Sequence, residues 1–164
     1  MEKHRTLPLN YLTPVSDLAG DDDEDTELLR KMAISAKRYV ESFDWCVAVT
    51  SSYFGGGVGG IFAVFLFGVV PARPEIDEWI WAVDGDLPSA YLPLEDAASP
   101  TEVFDQYIAG MRRWVAFAQS GARSMPRDVP PIDYPRTPEW ADLIGKRITS
   151  LEEILGPVFR PSAA

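Results

Sequence analysis

Two carboxylates flank a glycine at Asp84-Gly85-Asp86, and four more lie close in sequence: Asp77, Glu78, Glu95 and Asp96. Paired carboxylates of this kind can share a proton for acid/base work, or hold Mg²⁺ or Ca²⁺ through oxygen ligands. Asp-Gly-Asp is equally ordinary turn chemistry, because Asp bonds nearby backbone and Gly tolerates positive φ. Gly55, Gly57 and Gly60 match the spacing G-x-G-x-x-G. A dinucleotide site needs that turn to open a helix whose N-terminus meets the pyrophosphate. Here the glycines lead into Ile61-Phe62-Ala63-Val64-Phe65, which is strand-like, and no P-loop lysine follows. The expectation is a flexible hairpin loop and no bound nucleotide or other cofactor.

Imidazole and thiolate chemistry is sparse. His4 is the single histidine and Cys46 the single cysteine. A His-based triad, a multi-His metal centre and an intrachain disulfide are therefore outside this chain's means. Cys46 lies in the apolar run Trp45-Cys46-Val47-Ala48-Val49 and reads as a buried small hydrophobe. No residue is assigned a catalytic or metal-binding role.

The elements that position these groups follow from periodicity. Leu28, Leu29, Met32, Ala36, Tyr39, Val40 and Phe43 recur at helical spacing and predict a helix over 25–43. The acids Asp21–Asp25 precede it and favour the positive end of its dipole. Residues 45–52 predict a strand, and 60–70 a second one, apolar on both faces and so central in its sheet. Residues 78–84 and 89–94 predict a hairpin about Asp84-Gly85, with Trp79, Trp81 and Val83 on one face. Ser99-Pro100-Thr101-Glu102 is a capping-box opening for a helix over 100–119, and Thr137-Pro138 opens another over 138–155, ended by Gly156-Pro157. The sum is an α+β fold: a four-stranded antiparallel meander packed with three helices. An irregular arm, 1–23, precedes a single domain over 24–160.

From Val64 onward the wording resembles a family of short, uncharacterised bacterial proteins, a domain of unknown function. The matching phrases are Val64-Phe65-Leu66, Asp77-Glu78-Trp79-Ile80-Trp81-Ala82-Val83, Gly85-Asp86-Leu87-Pro88-Ser89-Ala90-Tyr91-Leu92, Met111-Arg112-Arg113-Trp114-Val115 and Pro138-Glu139-Trp140-Ala141. The match covers roughly residues 60–155, and Asp84 stands where such proteins carry a hydrophobic residue. The resemblance implies a bacterial domain and carries over no functional residue.

The 164 residues carry a net charge of −10. Residues 45–110 hold nine acids and one base, Arg73. That balance argues against nucleic acid and against anionic lipid. It points instead to a protein partner with a basic surface, steered to Asp84, Asp86, Asp77, Glu78, Glu95 and Asp96. The chain reads as a cytoplasmic, non-enzymatic interaction protein, the immunity or inhibitor type being one concrete form. A small enzyme or ligand-binding protein using Asp84 and Asp86 beside Trp79, Trp81, Tyr91 and Tyr107 is the alternative. A membrane-associated protein using residues 54–72 is the third. Residues 45–72 lack charge, but their strongly apolar part is short of a span.

Overall fold

The structure is a computed structural model that describes Leu7 and residues 9–160. Residues 1–6 and 8 of the expected arm, His4 among them, lie outside the described residues. The chain divides into two compact units, Met1–Val103 and Phe104–Ala164.

The first unit is an α+β sandwich of one helix and one sheet. Its strands are β1 (Thr13–Pro14), β2 (Cys46–Val58), β3 (Phe62–Pro71), β4 (Trp79–Gly85) and β5 (Ala90–Pro93). They form a five-stranded antiparallel sheet in sequence order. The helix α1 (Asp23–Glu41) crosses one face. Leu29, Met32, Ala33, Ala36 and Val40 from α1 pack with Ala63, Phe65, Phe67 and Val69 of β3 and Ile80 and Ala82 of β4. The alternate residues of β3 and β4, Phe62, Val64, Leu66, Trp81 and Val83, are buried as well. A central strand apolar on both faces is what the sequence of β3 calls for.

Two expectations need correcting here. The arm is not irregular throughout: Thr13 and Pro14 pair with Phe54 and Tyr53 and supply the fifth strand. Pro14 cannot donate to a ladder, so it fits only on an edge. Nearby, Leu18 is fully buried. The glycine cluster is not a loop either. Gly55, Gly56 and Gly57 lie inside β2, which runs to Val58, and the turn falls on the next three residues. At Gly57, with φ +156°, a Cβ would sit 2.4 Å from the carbonyl oxygen of Phe62. Glycine there allows close strand approach, and composition alone mimicked a flexible turn.

The second unit is a helical hairpin. It holds most of α2 (Pro100–Ser120) and all of α3 (Pro138–Phe159). Phe104 stacks on Phe159 with ring centroids 4.9 Å apart, and Arg112 pairs with Glu152 farther along. These two contacts run the helices antiparallel. Ala141, Ile144, Ile148, Leu151 and Leu155 form the buried stripe of α3. Gly121, at φ +70°, ends α2 as expected. Thr137 caps α3 by accepting from the backbone N–H of Trp140. Pro157 does not end α3, which continues to Phe159. A proline in a last turn forfeits few backbone bonds, and the buried Phe159 ring favours continuation.

Candidate functional site

The sheet separates the six carboxylates into two groups. Ile80 stands opposite Pro93 in the β4–β5 ladder, so the residues before β4 and after β5 share one end of the sheet. Asp77, Glu78, Glu95 and Asp96 are at that end, and Asp84 and Asp86 are at the other. The seven residues of β4 put roughly 20 Å between the two groups.

Asp84 is not at an exposed hairpin tip. It stands on the α1 face of β4 with Ile80 and Ala82, and its Oδ1 accepts from Ser35 Oγ at 3.0 Å and Ser89 Oγ at 3.4 Å. Burial pushes its carboxyl above the usual range, while the two hydroxyl donors pull the other way. Alternation then puts Trp79 and Trp81 on the opposite face. Trp81 is fully buried and donates its indole N–H to Ala97 O at 2.9 Å, while Trp79 is half-buried. The expected grouping of Asp84 with these two rings is therefore not formed. The turn itself lies at 86–89, one step beyond the anticipated Asp84-Gly85. Gly85 ends β4 without positive φ, and a Cβ there would meet Ile61 O at 2.2 Å. Close approach selects that glycine. Asp86 is exposed, and its backbone N–H donates to Ile61 O.

At the other end, Asp77 Oδ1 accepts from the Trp79 backbone N–H at 3.0 Å, which fixes the start of β4. Glu78, Glu95 and Asp96 are exposed. Glu95 and Asp96 lie in the short 3-10 helix Leu94–Asp96. Arg73, in the β3–β4 connection, pairs with Glu75 at 3.0 Å. An aromatic group borders this end. Tyr91 contacts Phe43 and Trp45 at ring separations of 4.8 and 5.0 Å, and Tyr39 joins them. Tyr91 is 39% exposed, whereas Trp45 is buried. Burial, with a smaller contribution from Tyr91, lifts the Tyr39 phenol to about 12. Burial, and secondarily the charge of Glu41, also raises the Cys46 thiol. Tyr107 is buried and belongs to the second unit.

Sequence reading missed one polar centre. Asp25 Oδ1 accepts from the Gly59 backbone N–H at 2.7 Å, and its Oδ2 accepts from the Asp21 N–H at 2.9 Å. Asp22 caps α1 through the Asp25 N–H. The acidic run therefore ties the β2–β3 turn to α1 besides complementing its dipole. Its position one turn into a helix gave no sign of a partner thirty-four residues away.

Among the described residues, no group of three or more His, Cys, Asp or Glu is placed to hold a metal ion. No helix among them is long and apolar enough to cross a membrane. Residues 54–72, the segment of the membrane reading, belong to β2 and β3 and the turn between them. Comparison with family models, curated proteins and solved structures finds no match to this chain.

Proposed function

We propose that this is a non-enzymatic acidic interaction protein of the cytoplasm, of the immunity or inhibitor type, which binds a basic protein surface. The observation that carries the reading is the grouping of Asp77, Glu78, Glu95 and Asp96 at one end of the sheet, with the partly exposed Tyr91 farther along β5, opposite Ala82. Arg73 is the only base in residues 45–110 and pairs with Glu75. A partly exposed aromatic ring with carboxylates nearby suits arginine, which combines ion pairing with stacking. The resemblance to short bacterial proteins adds no residue to this reading.

The test is association kinetics of a captured partner at two ionic strengths. Glu78→Gln/Glu95→Gln/Asp96→Asn slows association and weakens its salt dependence, because rim charges act mainly on the encounter rate. Partner binding that ignores both salt and these substitutions refutes the proposal. One observation favours the enzyme reading: Asp84 is half-buried with its carboxyl raised, as a general acid requires. Asp84→Asn/Asp86→Asn abolishing turnover of a small molecule would move the conclusion there.

A further inference from the structure

Helix α3 carries a buried apolar stripe and a second, mixed stripe on its outer face, of which Trp140 stacks on Tyr134 within the unit. The outer stripe is Trp140, Leu143, Arg147, Ser150, Ile154 and Pro157, spaced alternately by three and four residues. That is the a/d repeat of a helix that packs against a second helix. All six residues are exposed, with Trp140 at 36%, Leu143 at 43% and Ile154 at 45%; Val158, next to the stripe, is 41% exposed. Leu143 towards one end and Ile154 with Val158 towards the other are exposed large aliphatics, and Arg147 and Ser150 lie between them.

We propose that this face pairs with the same face of a second copy, α3 against α3, antiparallel about a two-fold axis between Ile148 and Thr149. The register follows from the sequence. Placing a positions against d positions puts Leu143 opposite Ile154 of the second copy, Arg147 opposite Ser150, and Trp140 opposite Pro157. Two-fold symmetry makes each layer occur twice. The flanking positions Glu139, Lys146, Glu153 and Arg160 then fall into charge register: Lys146 faces Glu153 and Glu139 faces Arg160, again twice each. All four are exposed. A parallel arrangement gives none of these pairings, because it brings identical positions side by side. Lys146 bonds Asp142 and Arg160 bonds Asp105 within the chain. Such surface pairs are individually weak and long side chains share partners readily, so they do not oppose the register. Arg147 at an inner position supplies orientation at some cost in affinity.

The experiment is sedimentation of the full chain across the micromolar range, with cysteine cross-linking. A concentration-dependent dimer is expected. Lys146→Glu weakens it about tenfold, since two attractive pairs become repulsive, and adding Glu153→Lys restores it. Restoration by the double reversal separates pairing from misfolding, since both sites are on the surface. Leu143→Cys mixed with Ile154→Cys gives a mixed disulfide dimer under mild oxidation. Eleven residues of helix hold these positions about 16 Å apart in one chain, so the bridge forms only between copies. A monomer at every concentration overturns the proposal. So does a Leu143→Cys self-cross-link in preference to the mixed one, or a dimer indifferent to both charge reversals.

Discussion

At the residue scale, Asp84 and Asp25 show how similar carboxylates acquire different work. Asp84 is desolvated, and its carboxyl is raised despite bonds from Ser35 and Ser89. A folded-state pKa above the unfolded value means that the folded protein holds this proton more tightly. Its stabilising share is present below the ordinary carboxylate pKa and is lost as pH rises through the raised value. Asp84→Asn removes that loss. Urea denaturation from mildly acidic to neutral pH is expected to show the variant gaining on the wild type as pH rises through this window. A constant offset between the two would contradict the assignment. Asp25 does structural work instead: it accepts backbone N–H groups from Asp21 and Gly59. Asp25→Ala leaves the Gly59 and Asp21 donors without this partner and is expected to cost about 1–3 kcal/mol. Faster amide exchange at Gly59 is the accompanying signature.

At the element scale, the two tryptophans of similar sequence context separate. Trp114, on α2, is fully buried, and its ring meets Tyr134 edge-on. Trp114→Ala is expected to destabilise by about 3–5 kcal/mol. Trp79 is half-buried against Tyr53, so Trp79→Ala should cost roughly half as much. Chemical denaturation of the two variants decides, and equal costs would show that burial does not rank them. The distinction was not legible in the sequence. Period-2 alternation assigns Trp79 and Trp81 to one face but says nothing of where along the strand cover runs out. The helices were legible, because capping residues and 3.6-residue periodicity are local signals. Ser99 accepts from the Glu102 N–H as anticipated, while the Glu102 carboxylate reaches back one residue farther, to the Ala98 N–H at 2.5 Å. The β4–β5 turn lies one residue beyond its expected place, since Asp-Gly signals a turn equally well from just before one. β1 was not legible at all. A two-residue strand carries no period, and its only support is pairing with residues forty positions on. The same limit applies to the candidate site: the residues were visible, but their division between two ends of the sheet required the ladder register.

At the scale of the whole molecule, charge follows the division into units. Residues 1–103 carry eighteen acids against seven bases, while residues 104–164 carry seven against eight. Nearly all the field that would steer a basic partner therefore originates in the sheet-bearing unit. The expected outcome is that neutralising carboxylates there lowers the salt dependence of partner association. Neutralising Asp142 or Glu139 on α3 should leave it nearly unchanged. Stopped-flow association at low and moderate salt measures both, and equal effects from the two sets would contradict an origin in one unit. The buried Cys46, with its thiol raised, is a poor nucleophile in the folded chain and so will not complicate labelling in such experiments.

Strand β2 has a further consequence, for how its sheet avoids edge-to-edge stacking on another sheet. It is thirteen residues long, yet β1 pairs with it only at Tyr53 and Phe54. A long strand paired over only part of its edge is the kind of template from which stacked-strand aggregates grow. Its pairing with β3 slips at three places, between Cys46 and Ala48, Val49 and Ser51, and Phe54 and Gly56. Each slip bends and twists the strand, so no long straight run of donors and acceptors is presented. Irregularity in β2 thus does the work that charge does elsewhere on this molecule: in a segment without a charged side chain, shape alone keeps the margin from recruiting another strand.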